Sequence, residues 1–186
     1  MICLVGMPGG GKSTVGRQLA KRLGWQFSDT DVLIEKRIGC SIRVFFETQG
    51  EDRFREVETS AIGDSILYRK MVLATGGGAI LRQENRCLLH SRCHVVYLHS
   101  SPEDLYRRLR YDTSRPLLQV PDPQARLRAL YEERDPLYRE AAHFVVDTGR
   151  PPIAALVNMV LMQLELAGVI DSALVPSPVE SQKPPS

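Results

Sequence analysis

The chain has 186 residues, 43% of them hydrophobic and 25% charged, and a formal net charge of +2. That length suits one compact domain with a single core, and the composition is that of an ordinary globular protein. So small a positive excess gives no general case for a nucleic acid or an anionic membrane as partner.

The chain opens on Met1-Ile2-Cys3-Leu4-Val5, an apolar run suited to a buried parallel strand. No basic leader precedes it, so no signal peptide is expected. It runs into Gly6-Met7-Pro8-Gly9-Gly10-Gly11-Lys12-Ser13-Thr14, the G-x-x-x-x-G-K-S pattern of a phosphate-binding loop. Val15, Leu19 and Leu23 then recur every four residues, as on one helix face. A strand, a glycine loop and a helix start in that order favour bound phosphate through exposed N–H groups and the helix dipole. Lys12 is expected to reach the β- and γ-phosphates, and the Ser13 hydroxyl to ligate Mg²⁺.

Trp25-Gln26-Phe27-Ser28 reads as a second strand ending in Asp29-Thr30-Asp31. A helix follows from about Val32 to Gly39, a short helical piece runs from Ser41 to Gly50, and another helix occupies Glu51 to Leu67. Met71-Val72-Leu73-Ala74 is a third buried strand and ends in Thr75-Gly76-Gly77-Gly78. Gln83 to Leu89 is helical, and Val95-Val96-Tyr97-Leu98 is a fourth strand. Ser101-Pro102-Glu103-Asp104 starts a helix carrying Arg107, Arg108 and Arg110. The stretch from Tyr111 to Pro121 has little periodicity and reads as a mobile loop.

Asp122-Pro123 opens a helix to about Ala142, and Phe144-Val145-Val146-Asp147 is a fifth strand. The last helix places Ile153, Leu156, Val157, Val160, Leu161 and Leu164 on one stripe opposite Asn158 and Glu165. That amphipathicity speaks for core packing rather than a membrane span. From Asp171 the composition turns to Pro, Ser, Glu and Lys, which predicts a disordered tail. Five strands alternating with helices predict an α/β fold with a parallel sheet. Its ligands should bind beyond the carboxyl ends of the strands.

The four cysteines, Cys3, Cys40, Cys87 and Cys93, form no C-x-x-C pair, and the four histidines show no metal-ligand spacing. Unpaired thiols in a reducing cytosol are expected. The P-loop alone implies only a nucleoside triphosphate. Three features point to a kinase: a short chain, no Asn-Lys-x-Asp guanine-reading motif, and an Arg-bearing loop, Arg115-Pro116-Leu117-Leu118, placed to act as a lid. The third strand lacks the terminal Asp usual for Mg²⁺, so Asp29 and Asp31 are its natural replacements; an acid here can equally cap the next helix.

The ordered blocks make the chain resemble the shikimate kinase family from about Ile2 to Leu164. They are Gly9-Gly10-Gly11-Lys12-Ser13-Thr14, Asp29-Thr30-Asp31 with Ile34-Glu35, Gly39-Cys40-Ser41-Ile42, Gly50-Glu51-Asp52-Arg53-Phe54-Arg55 with Glu58, Gly76-Gly77-Gly78, Arg115-Pro116-Leu117-Leu118, and Arg134-Asp135-Pro136-Leu137-Tyr138. The resemblance implies a P-loop NTPase fold, with a five-stranded parallel sheet flanked by helices, a lid and a substrate-binding region. Residues 1–168 would form one kinase domain, with a lid at about 111–123 and substrate-binding helices at about 31–62, followed by a tail at 169–186. It implies transfer of the γ-phosphoryl group of MgATP to the 3-hydroxyl of shikimate, a step toward chorismate and the aromatic amino acids. A cytoplasmic monomer is expected, with no nucleic-acid or membrane partner.

Carried onto matching positions, the resemblance gives Asp31 the shikimate hydroxyls. Arg55 and Arg134 take the carboxylate, with Gly77 and Gly78 at hand. Asp29 joins Ser13 at Mg²⁺, Arg115 reaches the transferring phosphate, and Arg108 and Arg150 flank adenine. The residue types suit those tasks. A guanidinium fork matches a carboxylate, and an ionised aspartate accepts from hydroxyls. With an ordinary pKa of about 3.9, Asp31 would orient the hydroxyl first and accept its proton second. A kinase for another polyhydroxy acid, such as gluconate, would share the P-loop without needing Asp31, Arg55 and Arg134 together. A non-catalytic ATP-binding module would bind ATP without acceptor-dependent turnover. A nucleic-acid role for Arg107, Arg108 and Arg110 is disfavoured by Glu103, Asp104 and Asp112 beside them.

Overall fold

A computed structural model of the chain describes residues 1–110, 120–149 and 151–171. Arg115, Arg150, most of the expected lid and the residues from 172 onward lie outside the described residues. The elements run β1 (Ile2–Val5), α1 (Lys12–Leu23), β2 (Gln26–Asp29), α2 (Thr30–Ile38), α3 (Ile42–Ser65) and β3 (Met71–Ala74). A 3₁₀ turn (Ala79–Leu81), α4 (Gln83–Arg92), β4 (His94–His99), α5 (Pro102–Leu109), α6 (Pro123–Ala141), β5 (Phe144–Asp147) and α7 (Ile153–Leu166) complete them.

All strand pairings are parallel, in the order β2-β3-β1-β4-β5. Parallel strands are covered on both faces, which is why β1 and β3 read as unbroken apolar runs. Side chains alternate along β1: Ile2 and Leu4 join Val15, Leu19, Val157 and Val160, while Cys3 and Val5 join Ile62, Leu89, Leu130 and Tyr138. One core therefore lies under α1 and α7, the other under α4 and α6. A third, smaller cluster holds α2 to α3 through Ile34, Phe54 and Ala61.

The helix ends follow the expected chemistry. Ser101 caps α5 and Ser41 caps α3 through their hydroxyls, and Gly24 and Gly39 close α1 and α2 in the left-handed region. The short piece and the long helix expected on either side of Gly50 form α3, with the break at Gly50 (φ 81°, ψ 171°). α2 begins two residues earlier than expected, at Thr30, because Asp29 caps it. Among the described residues no helix is long and apolar enough to cross a membrane. The chain order reverses at β1, with β3 on one side and β4 on the other, so a crevice opens at its carboxyl end.

Candidate active site

The P-loop fills that crevice. Gly9 and Gly11 take φ of 79° and 86°, a region closed to most side chains, and the Gly10 N–H donates to the Met7 carbonyl at 3.0 Å. Lys12 is 9% exposed and its Nζ donates to the Gly6 and Met7 carbonyls at 2.8 and 2.9 Å. The ammonium is thus held by carbonyls of its own loop.

Asp29 ends β2 and serves two neighbours at once. Its Oδ2 accepts from the Ser13 hydroxyl at 2.6 Å, and its Oδ1 accepts from the Asp31 N–H at 3.1 Å, capping α2. The cap considered from sequence thus uses one oxygen of the carboxylate, and the bond from Ser13 uses the other. Ser13 and Asp29 offer hard oxygen donors beside Lys12, a set that suits Mg²⁺. Among the described residues no group of three or more His, Cys, Asp or Glu side chains is disposed to hold a metal ion. Such a metal would accordingly rely on phosphate and water for its remaining ligands.

A cavity of about 530 Å³ joins the P-loop to the end of β2 and the glycine turn after β3, with Lys12, Ser13, Thr14, Asp29, Asp31, Gly77 and Arg108 in its wall. A smaller hollow of about 200 Å³ runs from Gly9, Gly10 and Gly11 past Arg108 to Pro151, Pro152 and Ile153. Arg108 lines both, and donates to the carbonyl and the hydroxyl of Thr148.

Beyond Asp31 the charges converge on the glycine turn after β3. A Cβ at Gly76 would lie 2.6 Å from Asp31 Oδ1 and 3.1 Å from Glu58 Oε1. At Gly78 it would lie 2.5 Å from Arg55 Nη2 and 2.6 Å from Nη1. Only a residue without a side chain lets these groups approach so closely. The Gly76 N–H is held by Thr30 Oγ1 at 2.9 Å, which ties the turn to the start of α2. From α6, Arg134 Nη1 donates to the Gly77 carbonyl at 3.4 Å and the Tyr138 hydroxyl donates to the same oxygen at 2.6 Å. Asp31, Arg55, Gly77, Gly78 and Arg134 are thus brought together, next to Lys12.

The electrostatics depart from the sequence expectation in one respect. Asp31 does not keep an ordinary aspartate pKa: the protein around it and the Asp29 carboxylate push it up, against the pull of Lys12 and Arg55. Its side chain still opens onto the cleft. Burial likewise pushes Glu58 up, although Arg55 Nη1 donates to its Oε2 at 2.7 Å. Burial opposes the charge on Arg55, yet Glu58 and Glu51 hold it above its usual value. Glu58 had no role assigned from sequence. It is 1% exposed and its Oε1 lacks a hydrogen-bond partner. The Arg55-x-x-Glu58 spacing was the available signal, since residues three apart meet on a helix. Thr30 and Tyr138 fall within the blocks that carry the resemblance, but nothing in the sequence assigned them the Gly76 amide and the Gly77 carbonyl that they hold.

The family profile described as shikimate kinase matches residues 8–165. The chain belongs to the shikimate kinase family. It is 57% identical over 173 residues to the shikimate kinase of Burkholderia thailandensis, covering 93% of this chain and 94% of that protein. The solved shikimate kinase of Acinetobacter baumannii, in complex with shikimate, is 44% identical with a TM-score of 0.84, covering 91% of this chain and 94% of that one. A gluconokinase structure from Sinorhizobium meliloti, at 21% identity and a TM-score of 0.59 over 89% of this chain and 91% of that one, shares the fold alone. Membership makes the chain an ATP-dependent small-molecule kinase.

Proposed function

We propose that the chain transfers the γ-phosphoryl group of MgATP to the 3-hydroxyl of shikimate, giving shikimate 3-phosphate and ADP on the route to chorismate. The observation that carries this reading is the convergence of Asp31, Arg55 and Arg134 on Gly76-Gly77-Gly78, of which Asp31 and Gly77 line one cavity with Lys12. A ring bearing a carboxylate and hydroxyls needs that set: two guanidinium groups for the acid, one carboxylate for the alcohols.

The P-loop amides and Lys12 hold the β- and γ-phosphates. Ser13 and Asp29 would hold Mg²⁺, and the ion would supply neutralisation of phosphate charge. Arg55 and Arg134, with the backbone of Gly77 and Gly78, fix the acceptor carboxylate, so the ring turns its hydroxyls to Asp31. Phosphoryl transfer proceeds through a loose transition state, so alignment and charge neutralisation matter more than a strong base. The raised pKa of Asp31 makes it a better acceptor for the late hydroxyl proton than an ordinary aspartate. By family resemblance Arg115 neutralises charge from the lid, and Arg108 and Arg150 flank adenine; the Arg108-lined hollow beside the P-loop is consistent with that.

The same reading takes residues 1–168 as the kinase domain, with substrate-binding helices at about 31–62 and a lid at about 111–123, and the profile match over 8–165 supports it. It describes a cytoplasmic monomer, in keeping with four free cysteines. The test is ADP release by the purified protein with shikimate or gluconate as acceptor. Turnover with shikimate and none above background with gluconate is expected. The reverse pattern, or ATP binding without acceptor-dependent turnover, would overturn the proposal.

A further inference from the structure

We infer that Tyr138 is a positioning residue for the acceptor: its hydroxyl occupies the Gly77 carbonyl and so keeps the Arg134 guanidinium available for an anion. The inference rests on the acceptor reading given above. Arg134 and Tyr138 stand one turn apart on the same face of α6 and donate to the same oxygen. The two bonds are unequal. An O–H···O bond of 2.6 Å is short and strong, whereas 3.4 Å is long for N–H···O. Tyr138 therefore satisfies the carbonyl, and the guanidinium only leans on it.

The guanidinium also meets the Tyr138 hydroxyl itself, but one of its donors is poorly satisfied. Its Nε is buried without a hydrogen-bond partner, and the Glu133 carboxylate stands 4.0 Å away. The side chain is 15% exposed, so water compensates little. A partly buried guanidinium in that condition gains more than an exposed one from a carboxylate ligand.

Tyr138 is held where this requires. It is fully buried, and its ring stacks on Tyr97 with centroids 4.9 Å apart. The Tyr97 hydroxyl points elsewhere, donating to Asp135 Oδ1 at 2.9 Å, so the ring of Tyr97 and not its hydroxyl supports Tyr138. Burial, helped by Glu58 and Glu133 and opposed by Arg134, holds the Tyr138 pKa far above its ordinary value, so the hydroxyl remains a donor. Because a peptide is planar, fixing the Gly77 carbonyl also fixes the direction of the Gly78 N–H.

Removal of the hydroxyl leaves the Gly77 carbonyl in need of a donor, and the Arg134 Nη1 is the one at hand. The guanidinium would close onto the backbone and turn from the acceptor. Tyr138→Phe keeps the ring and should raise the KM for shikimate about five- to tenfold, leaving kcat and the KM for ATP within about twofold. In an Arg134→Ala background the same change should add less than about twofold to the shikimate KM, since both act through one group. Tyr97→Phe, which removes the neighbouring hydroxyl of the stack, should leave the shikimate KM within about twofold.

The inference is overturned if Tyr138→Phe leaves the shikimate KM unchanged, or depresses kcat and both KM values together. It is equally overturned if Tyr97→Phe reproduces the effect, or if the effect persists undiminished without Arg134. Calorimetric titration with shikimate in the cold gives the same comparison for a variant with a lowered melting midpoint. Failure of the unsubstituted protein to turn over shikimate would count instead against the acceptor reading, so the two failures are distinct.

Discussion

The P-loop grows from β1, whose four residues are all buried between the two main cores, whereas Asp31, Arg55 and Glu58 sit on a helical pair with a small core of its own. The first region presents mostly backbone. Its one cation is held by its own carbonyls, and its glycines supply the conformation. The second region presents side-chain charge. Arg55 is shared between Glu51 and Glu58; burial raises the pKa of Glu58, which is sealed from water, and burial with the Asp29 carboxylate raises that of Asp31, which faces the cleft. Ile34, Phe54 and Ala61, with Phe45 and Phe46 packed on them, carry that load. A phosphate cradle can be rigid because its ligand presents the same oxygens every time. An acceptor pocket must instead offset the cost of gathering like charges, and it is the side where substitutions should disturb folding as well as turnover.

That contrast can be broken experimentally. Lys12→Ala should give the largest loss, about 10³-fold in turnover, with the melting midpoint nearly unchanged because the hydrogen-bond partners of Lys12 named above belong to its own loop. A large drop in the midpoint would show that the cradle depends on this charge for its fold.

Asp31→Asn comes next, with turnover reduced about 10²-fold or more. Here stability should move the other way. The folded chain binds the Asp31 proton more readily than the unfolded chain does, so ionised Asp31 disfavours folding at neutral pH, and that penalty fades as pH falls through its raised pKa. The variant should therefore melt slightly above the parent at pH 7 and lose that advantage in acid. A lower midpoint at pH 7 would contradict the assignment of strain to the acceptor side.

Arg55→Ala should raise the KM for shikimate about tenfold to a hundredfold while leaving that for ATP alone, as befits a charged hydrogen bond lost from one pocket. It also strands Glu58, which is 1% exposed, and breaking a buried pair in this way costs about 3–5 kcal/mol. The midpoint should fall by about 2–4 °C per kcal/mol, less whatever Glu58 recovers by taking up a proton. If the KM for ATP rises instead, Arg55 belongs to the other pocket.

The contrast also explains what could be read from the chain unaided. The P-loop, the strands and the caps were legible because local rules dictate them: apolar runs, glycines at forced φ, and Ser-Pro or Asp-Pro at helix starts. Asp29 and Asp31 were legible as a pair at a strand end, but not their division of labour. That depends on Ser13 reaching Oδ2 from another element, 16 residues away in sequence. Glu58 was harder, because a glutamate on a helix otherwise rich in exposed charge gives no sign of being sealed against Gly76. Tyr138 was harder still, since its partner is a backbone carbonyl 61 residues earlier. The perturbed pKa values follow from these long-range approaches, which residue spacing cannot express.

The smallest expected effect lies at the opposite end of the sheet and has the opposite sign to Asp31. His143 stacks on His90 with centroids 4.2 Å apart and accepts the Val95 N–H on Nδ1 at 3.1 Å, so the neutral ring is the form that fits. Partial burial, then His90 and His94, lower its pKa, and burial and the terminal ammonium lower that of His94. The unfolded chain thus takes up these protons first. Their contribution to stability is complete above about 6.5 and declines as pH falls through the lowered folded values. All three rings are exposed, so solvent screens most of the repulsion. The melting midpoint should fall modestly between pH 7 and pH 5.5, and His143→Gln, which keeps an acceptor without titrating, should flatten that slope. Because Asp31 gains stability as it protonates and His143 loses it, His143→Gln and Asp31→Asn should change the pH–stability curve with opposite slopes. Identical slopes in the parent and the His143 variant would remove the histidine stack as the source of acid lability.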